Sequence, residues 1–263
     1  MRGRISEKSA QEIEGKVPQI DRNWLAETFP YNFVFSDIEN KTEIHISLIC
    51  LSDAIDRWQT ARIALIECYS HIVWYRKESV KFPEEHLAVL FGKFYADYIS
   101  LLLYAIGEDI SEFVLRFMEV NDGYKIWIQN EKKKTTSKKV GSSNLKKVKK
   151  YLNKHHQKHT ITKLLNSLCN NNSWKETLHY RNVWVHQKPP IVRSNSIEFD
   201  RKSLIWKKDS GVGVNFGKGS EAKYSIDELV NLVQESVSIC RNVINQLVEI
   251  VAEKRSILPP SVW

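Results

Sequence analysis

Apolar positions recur every three to four residues in several long stretches of this chain, the period that lets one stripe of an α-helix be buried. Leu51, Ile55, Trp58, Leu65, Tyr69 and Ile72 keep that spacing and predict a helix from about 48 to 77. Pro83 followed by Glu84 and Glu85 predicts the start of the next, since proline suits a first helical turn and acids favour the positive end of the helix dipole. That helix is expected to turn Leu87, Leu90, Phe91, Phe94, Tyr98, Leu101, Leu102 and Ala105 towards a core and to stop at Gly107. Asp109 and Glu112 have capping-box spacing and would open a shorter helix through Phe113, Phe117 and Met118 to the turn Asn121-Asp122-Gly123. Residues 124–128 alternate and read as a short strand.

Further along, Leu145, Val148 and Leu152 suit the inner face of a helix capped by Ser142 or Ser143, and Leu164, Leu165 and Leu168 that of a short helix over 160–168. Ser173, with Glu176 three residues on, and the pair Pro189 and Pro190 bound a helix over 173–188. Two alternating runs, 196–199 and 203–207, flank Asp200-Arg201-Lys202 and predict a β-hairpin, followed by a loop with Gly211, Gly213, Gly217 and Gly219. Ser225 and Glu228 cap the last helix, 225–255, whose stripe is Leu229, Val233, Val237, Cys240, Ile244, Leu247 and Val251. The pattern as a whole predicts an all-α protein, one domain over 1–263 with a four-helix-bundle core. Long helices fill 45–120, a lysine-rich insert 131–163, and a hairpin with its glycine loop 191–219. Residues 1–44 form a loop-rich cover and 257–263 a surface arm.

Composition adds a local asymmetry. The 263 residues are 42% hydrophobic and carry a net charge of +8, but 131–163 alone holds twelve lysines against one acid, Glu131, so the remainder is slightly acidic. A concentrated patch of this kind suits a polyanion, and lysine without interleaved aromatics beyond Tyr151 suits phosphates rather than bases. Lys132, Lys133, Lys134, Lys138, Lys139, Lys146, Lys147, Lys149 and Lys150 are the candidate contacts to nucleic-acid phosphates. A solvated, lysine-rich loop followed by a helix with an exposed basic face accounts for the same residues. The polar start and an apolar run from Ile99 that reaches only Ile106 predict no leader and no membrane span, hence a cytoplasmic protein. Cys50, Cys68, Cys169 and Cys240 are widely spaced and suggest neither zinc nor disulfides. His155 and His159 stand one turn apart but among lysines, which disfavour a dication, and no metal or other cofactor is expected.

The candidate chemistry lies in the helix over 173–188. His179, Asn182 and His186 share one face, while Trp174, Leu178 and Val185 form a stripe that can be buried, with Arg181 at its border. Histidine titrates near neutrality and can move protons; arginine keeps its charge and can grip two phosphate oxygens. Arg181 and His186 diverge by about 140° and roughly 7.5 Å along one helix, so a shared site needs a second copy beside a two-fold axis. The run Arg181-Asn182-Val183-Trp184-Val185-His186 resembles the R-N-x-x-x-H motif of HEPN domains, all-helical ribonucleases of prokaryotic toxin and antiviral systems.

That resemblance implies a dimeric, metal-independent endoribonuclease. His186 would be its general acid or base, Arg181 its phosphate-stabilising cation, Asn182 its positioning group and His179 an accessory, with RNA as substrate and an antitoxin or defence protein as a possible partner. Three other readings stand beside it. A helix-end arginine paired with a carboxylate and a histidine favouring a helix C-terminus would give the same residues. A catalytically silent HEPN-like module that binds RNA or a partner is the second. A DNA-binding regulator is the third, although no recognition helix is evident.

Overall fold

Helix dominates the described residues of the computed structural model, which are 4–28, 41–78, 84–134, 144–186, 192–193, 198–199 and 224–256. In chain order they form α1 (Glu7–Lys16), α2 (Arg22–Thr28), α3 (Lys41–Val73) with a π-helical turn at Trp74–Glu78, α4 (Glu85–Phe117), α5 (Asn121–Lys134), α6 (Asn144–His155), α7 (Thr160–Asn170), α8 (Asn172–His186) and α9 (Ile226–Ser256). The two-residue strands β1 (Val192–Arg193), β2 (Glu198–Phe199) and β3 (Tyr224–Ser225) pair in the order β2-β1-β3. The class is therefore all-α, as the helical periodicity predicts.

The chain divides into two compact units, and the divisions fall between α1 and α2 and inside α3, α4, α8 and α9. One unit comprises Met1–Val17, Ala61–Leu101 and Glu176–Ser236. Here α3 and α4 approach at Gly92, where an added Cβ would lie 2.8 Å from Ile226 and 3.1 Å from Ile72, so only glycine admits the two neighbours. Tyr69 bonds Gln234 across α3 and α9, and Arg76 pairs with Glu85 (2.7 Å) and Asp227 (2.8 Å). Glu78 accepts from Ser6 and Ser9 and so ties down the start of α1. The other unit comprises Pro18–Thr60, Leu102–Lys175 and Val237–Trp263. Trp58 is fully buried there and donates to the Val237 carbonyl at 2.9 Å, and Arg57 pairs with Asp109.

Local signals set several boundaries correctly. Ser225 and Glu228 cap α9 reciprocally, at 3.2 Å and 2.7 Å, and every residue of its expected stripe is buried. Others yield to packing. The chain before Lys41, read as loop-rich, contains α1 and α2. Gly107 does not end α4: Ile106, Ile110 and Phe113 are buried around it, which outweighs a glycine penalty of about 1 kcal/mol. Asp109 serves Arg57 rather than a cap, and α4 ends where Glu119 turns left-handed, with φ 56°. Residues 124–128 are helical, within α5, because Tyr124 and Trp127 bury one side against Tyr151, with ring centroids 5.5 Å and 5.7 Å away. β2 pairs antiparallel with β1, Val192 opposite Phe199; the hairpin partner expected for it is the run 203–207. That run, the glycine loop, Ser142, Ser143, Pro83, Pro189, Pro190 and the arm 257–263 lie outside the described residues.

The largest correction concerns α4. Its buried face is Ala88, Val89, Gly92, Ala96, Ile99, Leu103, Ile106 and Ile110, whereas Leu90, Phe94 and Tyr98 of the expected core stripe are exposed. Leu87, Phe91, Leu101, Leu102 and Ala105 are half-buried. α4 is apolar on both sides, so periodicity alone cannot choose; the small residues Ala88, Gly92 and Ala96 lie against its neighbours because they let helices come close. By length and composition α4 could also cross a bilayer, which its longest uninterrupted apolar run did not suggest, and 44% of its most apolar window is buried in protein.

Candidate functional site

A single residue, Asn171, separates α7 from α8 and caps the latter: its Oδ1 accepts from the Trp174 amide at 2.9 Å, a role expected of Ser173. Trp174 is buried against Gly107 of α4, 3.5 Å from where a Cβ would stand. In the unit that holds the rest of α8, Thr177 and Ser236 share a hydrogen bond of 2.7 Å between their hydroxyls, and Leu178 is buried.

The firmest anchor is Tyr180. Its side chain is 1% exposed, and its hydroxyl donates to Oδ1 of Asp97 on α4, itself 8% exposed. Lys93, one turn earlier, places Nζ 2.7 Å from Asp97 Oδ2 and 3.3 Å from the Tyr180 hydroxyl. On the other flank Tyr224 of β3 meets the Tyr180 ring edge-on, with centroids 5.8 Å apart, and donates to Glu176 one turn before it on α8. Burial first, then the Asp97 charge, raises the Tyr180 phenol well above its ordinary pKa, so it remains a donor. A buried carboxylate is thereby satisfied on both oxygens, by an ammonium and a phenol.

The motif residues follow directly. Arg181 is half-buried and donates from Nη1 to Asn182 Oδ1 at 3.0 Å. Asn182 is also half-buried, and through this hydrogen bond it orients the guanidinium rather than an imidazole. His179 and His186 are exposed, His186 as the last residue of α8. Val185, expected to be buried, is also exposed.

Of the candidate lysines, Lys146, Lys147 and Lys150 are exposed on α6. Lys149 is half-buried and donates to Asn170 at 2.7 Å; Lys150 pairs with Glu131 at 3.1 Å and lies over the Trp127 ring at 5.5 Å. Lys132, Lys133 and Lys134 close α5, which continues into the segment read as a loop, and Lys138 and Lys139 lie outside the described residues. His155 and His159 have separate uses. The His155 ring packs on Tyr151 at 4.8 Å, and His159 Nδ1 accepts from the Ile161 amide at 3.2 Å to cap α7.

Lys93, Asp97, Tyr180 and Tyr224 did not emerge from the motif. The available signal was a single Lys–Asp pair, one turn apart, inside the otherwise uncharged stretch 87–107, a placement that requires a buried partner. No family model, no curated protein and no solved structure matches this chain. What supports a functional reading is therefore its own residues.

Proposed function

We propose that the chain is a HEPN-like, metal-independent endoribonuclease of a toxin or antiviral defence system, acting in the cytoplasm as a homodimer. The observation that carries the reading is the arrangement on α8. One side of the helix is locked to α4 by Tyr180 and Asp97, while the next residues outward are an oriented Arg181–Asn182 pair and an exposed His186. An RNA 2′-hydroxyl loses its proton to a base and attacks the adjacent phosphorus; the bond to the 5′-oxygen breaks and that oxygen is protonated. His186 serves one of these proton transfers, Arg181 stabilises the crowded phosphate, Asn182 holds Arg181 in place, and His179 borders the same face. Because Arg181 and His186 diverge on one helix, each copy supplies its partner with one of the two. The α6 lysines bind RNA phosphates. The helical bundle of the HEPN superfamily belongs to this proposal, as does a neutralising or defence-system partner.

Cleavage of RNA in EDTA tests it. His186→Ala is expected to lower the rate by about 10²–10⁴-fold, the contribution typical of a general acid or base. Equal cleavage by wild type and variant would sink the assignment. The Arg181–Asn182 bond favours one other reading, an RNA-binding module without turnover, since it engages the cation within the chain. That module would bind RNA in a salt-dependent way and cut none.

A further inference from the structure

A soluble helix that is apolar all round should be covered all round. Among the described residues, α4 is covered on one side only. Leu90, Phe94 and Tyr98, at successive i, i+4 positions, are 43%, 62% and 42% exposed, and Leu87, Phe91 and Leu101 are half-buried beside them. We propose that this row is the face on which a second copy of the chain docks. The inference rests on the proposed function only in that a shared site needs two copies.

Three observations favour a second copy over other occupants. First, the row is uncharged. The two charged residues interleaved with it, Lys93 and Asp97, are turned inward to each other and to Tyr180. In a two-fold contact a face meets itself, so any charge on it would meet its like; this one meets none. Second, the row is rich in aromatic surface of the kind enriched at the centre of interfaces, and Phe94 is held edge-on by Tyr95 with centroids 5.3 Å apart, which lowers the ordering cost of docking. A polyanion finds nothing to pair with here; its complement is the lysines of α6. Third, α4 is the element that grips the motif helix through Tyr180, and the next exposed apolar residue on that helix is Val185, between Arg181 and His186. An axis through the α4 row therefore sets two motif helices about itself.

The mass of the full chain in solution, by sedimentation equilibrium, tests this. The wild type is expected at twice the 30.7 kDa of one chain. Phe94→Glu and, separately, Leu90→Lys, both at exposed positions, are expected to weaken dimerisation by about 100-fold or more, since each substitution enters the contact twice, with helical circular dichroism unchanged. A monomeric wild type, or a dimer that both folded variants leave intact, overturns the proposal. So does a monomer whose binding to phosphatidylcholine vesicles is abolished by Phe94→Glu, which would assign the row to a bilayer. The nuclease reading is decided by a separate measurement: a dimer that Phe94→Glu dissociates, from a wild type that cuts no RNA, keeps the docking face and removes the enzyme.

Discussion

His71 shows how much a single side chain can depend on its surroundings. It is buried on α3, its ring stacked on Phe91 at 4.4 Å and flanked by Tyr75 and Tyr95 at 6.0 Å and 5.4 Å. Nδ1 has no hydrogen-bond partner among the described residues. Burial lowers its pKa below the ordinary histidine value. The unfolded chain therefore binds this proton at a higher pH than the folded one, and the associated stability, intact above about pH 6.5, is lost as pH falls below that value. The midpoint of thermal unfolding should drop as pH falls below about 6.5 in the wild type, and His71→Phe should flatten that slope. An unchanged slope would show that another group governs the acid limb. Nothing in the sequence marks His71 as different from exposed His179 or His186, because the rings of Phe91 and Tyr95 that enclose it arrive from α4, a separate helix further along the chain.

Among elements, the pairing of α8 with α4 matters most for the site. Tyr180 and Asp97 are 83 residues apart, and the bond between them lies in a buried setting where loss of one partner is costly. Tyr180→Phe leaves one Asp97 oxygen unsatisfied and should cost about 1–3 kcal/mol. Asp97→Ala leaves the half-buried Lys93 without its counter-charge and should cost up to about 3–5 kcal/mol. Chemical denaturation measures both, and equal, negligible losses would mean that water reaches the cluster. Helices α9 and α4 mark what periodicity can and cannot decide. For α9 the expected stripe and cap agree with the structure because the opposite face is polar and the capping partners are three residues apart. For α4 the expected stripe was the wrong face, because both faces are apolar and the closest approach of its neighbours, at Gly92, decided which would be buried.

For the molecule as a whole, the uneven distribution of charge is the property most open to measurement. Lys146, Lys147, Lys150 and Lys154 are exposed on α6, in a chain that is slightly acidic outside 131–163. Replacing these four by glutamine should weaken binding of single-stranded RNA and reduce the slope of log K against log salt by up to about 3, near 0.7 for each phosphate that is no longer neutralised. Fluorescence anisotropy across a salt series checks this, and an unaltered slope would leave the lysines as a solvated face. The basic tract, the helical class, the caps of α9 and the residues Arg181, Asn182 and His186 were all legible in the chain by itself, since composition, period and cap spacing are properties of neighbours in sequence. The outward face of α4, the enclosure of His71 and the Lys93–Asp97–Tyr180 anchor were decided only by tertiary structure. Each depends on groups brought together from distant parts of the chain, where burial turns an ordinary polar side chain into one that must find a partner.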